Sequence, residues 1–159
     1  MVAHTYAHLH GLPATGLRFF TVYGPAGRPD LAYFVFTEAI VGGTPIQVFN
    51  EGQLERDFTY IDDIVSCVVA AAAPPPLDLE VPYRLLNLGC HQPVKLVGFI
   101  ATLEDLLGKE ANIRLAGMPP GDVYRTAANI DAERVLVGFK PSTDLATRLG
   151  HFVAWYRDY

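Results

Sequence analysis

Two arginines stand where planar cation chemistry would be useful. Arg56 sits in the phrase Arg56-Asp57-Phe58-Thr59-Tyr60-Ile61-Asp62-Asp63, and Arg28 in Gly24-Pro25-Ala26-Gly27-Arg28-Pro29-Asp30. A guanidinium offers a flat fork of donors that matches a phosphate or a carboxylate. Arg28 lies in a glycine- and proline-rich stretch, the kind of loop on which functional side chains are displayed. The plainer readings are an ion pair of Arg56 with Glu55 or Asp57, and a solvated loop charge for Arg28. Gln47 and Phe49 lie two apart on a short apolar run. By themselves they read as strand residues, with Phe49 in the core. Asn87, before Gly89, reads as a polar contact in a cleft or as a turn residue. His4 and His8 have the four-residue spacing of helical metal ligands. No carboxylate or thiol stands beside them, so a helix face is the simpler reading. Cys67 and Cys90 lack metal-type spacing and read as free buried thiols of a cytosolic protein.

The 159 residues make about one domain, and 50% of them are apolar, enough for a core. A net charge of −5, with no basic run, argues against a surface for nucleic acid. The longest largely apolar run, residues 64–73, is too short to span a bilayer. The first ten residues carry histidines but no charged leader segment. The expectation is a cytoplasmic protein with no membrane partner.

The elements that must position these residues follow from periodicity and punctuation. Residues 2–10 read as a helix capped at Gly11, and Pro13 blocks its continuation. Residues 15–20, a short apolar run with paired Phe, read as a buried strand. Residues 21–30 read as loop. Helical spacing covers 31–41, up to Gly42-Gly43. Residues 46–49 and 56–61 read as short strands. A helix capped by Asp62 or Asp63 runs to Ala73 and is ended by Pro74-Pro75-Pro76. Residues 83–88 form a strand closed by Gly89. Residues 94–107 form an amphipathic helix stopped by Gly108. A small strand at 113–115 and a short helix capped by Asp131 and ending at Gly138 come next. The last helix follows Pro141, with Ser142 or Thr143 as cap, and carries Leu145, Leu149, Phe152, Val153, Trp155 and Tyr156. The alternation of strands and helices argues an α/β fold.

Several phrases, in order, resemble the C-terminal half of nucleotide-sugar epimerases of the extended short-chain dehydrogenase/reductase family. They are Arg18-Phe19-Phe20-Thr21-Val22-Tyr23-Gly24-Pro25 with Gly27-Arg28-Pro29-Asp30, then Arg56 to Asp63, Leu86-Asn87-Leu88-Gly89, Pro120-Gly121-Asp122, and Gly138 to Tyr156. The nearest subgroup is the UDP-glucuronate 4-epimerases. The resemblance implies the C-terminal part of a Rossmann-like fold, with residues 1–159 as the substrate-binding domain plus remnant strands of the Rossmann sheet. It implies NAD as cofactor and a UDP-sugar as substrate. It places Arg56 on the diphosphate, Gln47 and Phe49 beside the uracil, and Arg28 on the sugar carboxylate. It also places Thr21 near the sugar hydroxyls, Phe20 at the nicotinamide end and Asn87 in the substrate cleft. Asp122 reads as a ribose contact or a turn residue, with the turn preferred. The place where many relatives carry a second basic residue, just before Pro-Gly-Asp, is Pro119, as in the glucuronate subgroup.

No Tyr-x-x-x-Lys and no Gly-x-x-Gly-x-x-Gly occurs; Tyr6 is followed by His10. The expected chain is therefore the nucleotide-sugar-binding portion of an epimerase, inactive by itself. It would be partnered by a second copy or by the missing N-terminal half. The rival readings are a non-catalytic UDP-sugar-binding or structural module, and another UDP-sugar epimerase or decarboxylase.

Overall fold

The computed structural model describes residues 1–73, 75–141 and 144–159. Helix α1 (Val2–His10) ends at Gly11 in the left-handed conformation and lies against strand β1 (Ala14–Phe19). Strand β2 (Thr21–Tyr23) follows at once. Helix α2 (Ala32–Gly42) ends at Gly43, also left-handed, and leads into strand β3 (Pro45–Phe49) and a 3-10 turn, Asn50–Gly52. Strands β4 (Glu55–Arg56) and β5 (Phe58–Tyr60) flank Asp57, and helix α3 (Ile61–Ala72) continues directly from β5. Strand β6 (Tyr83–Leu88), strand β7 (Val94–Lys95), helix α4 (Leu96–Leu107) and strand β8 (Asn112–Ala116) come next. Helices α5 (Asp131–Val137) and α6 (Leu145–Asp158) complete the chain.

The strands pair two by two. β1 runs parallel to β6, β2 to β5 and β3 to β8, while β4 and β7 are antiparallel. Parallel pairs need crossovers, and helices supply most of them, as α/β alternation predicts. Two cores result. The larger joins α2, β3, α4 and α6 around aromatic rings, with Phe58 stacked on Phe99 at 4.1 Å and Tyr23 edge-on to both Tyr60 and Phe99. The smaller lies between β6, α3 and the segment leading to α5, around Ile64, Leu88 and Ile130.

Several expectations need correction. The strand at 15–20 is not buried: β1 is half-buried at its start and exposed at Arg18 and Phe19. It pairs with one strand only, so one edge has no cover among the described residues. Residues 21–23 are strand rather than loop, because the register with Phe58–Tyr60 holds them extended. The strand at 56–61 is broken at Asp57 into two. Neither Asp62 nor Asp63 caps α3; the cap position is Tyr60, and the two acids sit in the first turn, where the helix dipole favours them. The helix expected from Val94 begins at Leu96, because Val94 and Lys95 pair with β4. Asp131 is the first residue of α5, and its N–H donates to the Asn129 carboxamide oxygen. Ser142, Thr143 and the first of the three prolines, Pro74, lie outside the described residues. The cap of α6 is Asp144, whose carboxylate accepts from the Thr147 N–H at 2.9 Å and hydroxyl at 2.6 Å.

Candidate functional site

The site starts where β1 ends. Phe20 leaves the strand with its N–H donating to the Leu88 carbonyl at 2.9 Å, and Thr21 turns the chain into β2. The loop after β2 then returns over the same opening. Its path is dictated by Gly27: a Cβ there would lie 1.6 Å from the Tyr33 hydroxyl, itself locked in the aromatic core. Arg28 and Thr21 thereby line the same opening. The result is an open cleft of about 650 Å³, lined by Arg18, Phe19, Phe20, Thr21, Arg28 and Thr126, among others. It lies at the carboxyl end of a parallel strand pair, the position where α/β sheets bind ligands.

Arg28 is exposed, and its guanidinium forks onto the Asp30 carboxylate, with Nε to Oδ1 at 3.0 Å and a second nitrogen to Oδ2 at 2.5 Å. This contact raises the arginine pKa further and lowers that of Asp30. Both ends of the pair remain in water, so the pair is easily exchanged for another carboxylate.

Arg56 pairs with neither neighbour's carboxylate. Its guanidinium contacts Asp122 Oδ1 at 2.7 Å and donates to the carbonyls of Val123 at 2.8 Å and Glu55 at 3.0 Å. Glu55 instead faces Arg125 at 3.2 Å, and Asp57 points inward. Asp122 also accepts its neighbour Val123 N–H at 2.8 Å, which fits the turn reading. Residues 124–126 run alongside β4, since Glu55 N–H donates to the Tyr124 carbonyl and Thr126 N–H to the Glu55 carbonyl. Arg56 and the cleft are thus joined through the segment 124–126, which bridges to β4 and ends at Thr126.

Of the seven expected site residues, the cleft brings together Phe20, Thr21 and Arg28. Gln47 and Phe49 lie on β3, in register with Arg114 and Ala116 of β8; Gln47 is exposed and Phe49 half-buried. Asn87 is inside β6 rather than in a turn, opposite Arg18 of β1. Its side-chain amide donates to the Asn129 carbonyl at 3.2 Å, and its backbone N–H to the buried Glu133 carboxylate. His4 packs edge-on against Tyr83, and the described residues contain no cluster of the metal-binding kind. Burial pushes the Cys90 thiol up to about 11, with Asp57 adding to the effect. Burial raises Cys67 as well, helped by the Glu133 carboxylate.

Two residues escaped the sequence reading. Thr126 lines the cleft, and nothing in its neighbourhood marks it. Asp57 is fully buried beneath the cleft. A buried charge needs internal partners, and those of Asp57 lie far away in sequence, so no local signal marks it.

Residues 1–89 match the model of the NAD dependent epimerase/dehydratase family. The chain belongs to that family. This family member is 44% identical over 170 residues to a probable UDP-glucuronate 4-epimerase of Rhizobium meliloti, covering 98% of this chain and 50% of the relative. It is 46% identical over 170 residues to UDP-glucuronate 4-epimerase 4 of Arabidopsis thaliana, covering 99% and 39%. Among solved structures it superposes on UDP-glucuronic acid 4-epimerase from Bacillus cereus, in complex with UDP-glucuronic acid and NAD. That match has a TM-score of 0.89 and 29% identity and covers 99% of this chain and 49% of that one. The family member thus has the α/β, Rossmann-like fold of these epimerases and spans about half the length of the relatives it matches. No helix among the described residues is long and apolar enough to cross a membrane.

Proposed function

We propose that this chain supplies the nucleotide-sugar-binding part of an NAD-dependent epimerase that interconverts UDP-glucuronate and UDP-galacturonate at C4. Residues 1–159 then form its substrate domain, with β1 and β6 belonging to the dinucleotide-binding sheet. One observation carries this reading: a single cleft holds Phe20, Thr21 and Arg28, and Arg28 already grips a carboxylate with two prongs. A uronic acid differs from a neutral hexose by such a carboxylate, and a guanidinium fork is the natural means of telling them apart. The names of the relatives and of the complex in Bacillus cereus support the same substrate class.

In this reading Arg28 exchanges Asp30 for the sugar carboxylate. Thr21 orients a ring hydroxyl, and Arg56, held by Asp122, presents its remaining donors to the diphosphate. Gln47 and Phe49 hold the uracil by hydrogen bond and stacking, and Asn87 adds a polar contact. The residues present fit one end of the cofactor. Phe20 closes β1 at the mouth of the sheet, and its ring lies 3.3 Å from where a Cβ on Gly89 would stand, so the cleft floor there is built of backbone. That suits a flat nicotinamide ring; no glycine-rich phosphate cradle occurs in the sequence. NAD, when bound, supplies hydride exchange at C4 of the sugar. Lacking a Tyr-x-x-x-Lys pair of its own, the 159-residue chain turns over no UDP-glucuronate by itself.

Calorimetric titration with UDP, UDP-glucose and UDP-glucuronate tests the reading. Wild type is expected to prefer the uronate. Arg28→Ala abolishes that preference and leaves UDP unaffected, whereas Arg56→Ala weakens all three. Equal losses for UDP and UDP-glucuronate on Arg28→Ala would refute the carboxylate assignment. Conversion of UDP-glucuronate by the purified chain with NAD would refute the claim that it is inactive alone.

A further inference from the structure

Asp57 is fully buried, and every polar group it owns is engaged. Its carboxylate accepts three backbone N–H groups: Cys90 at 2.8 Å, His91 at 3.1 Å and Ala128 at 2.7 Å. Its own N–H donates to the Thr126 hydroxyl at 3.3 Å, and its carbonyl accepts the Thr21 N–H at 3.2 Å. A carboxylate buried in this way is tolerated because amide dipoles replace its water. The partners come from three segments far apart in sequence: the start of β2, the turn after β6, and residues 126–128 ahead of α5. Thr21 and Thr126 belong to the cleft lining.

The packing around this carboxylate leaves no slack. A Cβ on Gly89 would meet the Ala128 methyl at 2.4 Å, Asp57 Oδ2 at 2.8 Å and the Phe20 ring at 3.3 Å. His91, which donates to Asp57, is held at a φ of 60°, uncommon for a residue with a side chain. Its ring nitrogen Nδ1 contacts the Ala128 carbonyl, closing the same knot from the other side. Ordering a loop residue in that conformation costs free energy that the Asp57 contact helps to offset.

We propose that Asp57 is the positioning residue of the cleft: its backbone holds Thr21 and Thr126 while its carboxylate ties the turn after β6 and Ala128 to that backbone, and together these set the placement of Thr21, Phe20 and Thr126, and so the sugar-nucleotide geometry, without touching ligand. This rests on the sugar-nucleotide reading above for the identity of the ligand, but not for the existence of the knot. An uncharged carboxamide cannot replace it. Asn offers one acceptor oxygen where the carboxylate uses two, and its amide group would face an N–H donor.

Amide hydrogen exchange on the ligand-free wild-type chain is the first test. The N–H groups of Cys90, His91 and Ala128 should exchange slowly and together with that of Thr21, although His91 is an exposed loop residue. Exchange of these three at unprotected loop rates overturns the proposal. The second test compares Asp57→Asn with Leu149→Ala, a cavity in the other core chosen as a matched loss of stability. In Asp57→Asn the Thr21 and Thr126 amide resonances should move, and UDP-glucuronate affinity should fall by at least about tenfold, well below the unfolding temperature. Leu149→Ala should leave both at wild-type values. Unchanged resonances and affinity in Asp57→Asn, or equal changes in both variants, overturn the proposal. A protected knot in a wild type that binds no UDP-glucuronate would refute the sugar-nucleotide reading while leaving the positioning role standing.

Discussion

Gly89→Ala is the sharpest test of how tightly the cleft floor is built. The glycine is not needed for a left-handed backbone, since its φ is not positive. It is needed for space. The new methyl would stand 2.4 Å from the Ala128 methyl and 2.8 Å from Asp57 Oδ2, where ordinary contact is well over an ångström and about half an ångström longer, respectively. Neither neighbour can retreat: both are fully buried, and Asp57 is anchored by three amides. Overpacking of this kind costs about 1–3 kcal/mol. The alanine recovers about 0.4–1 kcal/mol by restricting the unfolded chain, so the net loss is roughly 1–2 kcal/mol. For a chain of 159 residues that lowers the melting temperature by about 2–8 °C. Gly98→Ala is the matched control. Gly98 lies within α4 with nothing within 4 Å of its Cβ position, and alanine there should raise stability by about 0.5–1 kcal/mol. Scanning calorimetry of the two variants decides the matter. A melting temperature for Gly89→Ala equal to or above that of wild type would refute the close packing of Gly89 on Asp57 and Ala128.

Other outcomes follow from the same structure. Asp144 has a folded-state pKa below its ordinary value because Thr147 donates to its carboxylate twice. Its stabilising effect is therefore complete above about pH 4 and is lost as pH falls through the lowered value; Asp144→Asn should flatten the acid limb of the stability profile. Cys90, with its thiol raised to about 11 by burial, should resist alkylation at pH 8 in the native chain and react readily in denaturant; rapid native labelling would contradict its burial. The outer edge of β1 should pair with a second copy. The N–H groups of Ala14 and Phe20 both point to the β6 side, so by strand alternation those of Thr15, Leu17 and Phe19 point away from it. Phe19 is 52% exposed at that edge, the condition under which strands recruit other chains. A light-scattering mass of one monomer at all concentrations would count against this.

The sequence by itself determined the α/β class, nearly all element positions and the identity of the family. Local rules were enough where the signal is local: Gly11, Gly43, Gly108 and Gly138 each end a helix in the left-handed conformation. The motif around Arg18–Asp30 pointed to Phe20, Thr21 and Arg28, and these do share one cleft, because a tight loop keeps neighbours in sequence close in space. What failed was whatever depended on distant partners. Residues 21–23 became strand, and Val94 left its helix, because a pairing strand outweighed local propensity. Arg56 found Asp122, 66 positions away, rather than the acids beside it. Asp57 looked like a surface charge beside Arg56. Only the tertiary structure turned it inward, because three amides from two distant segments converge to replace its water, and no local pattern records that convergence.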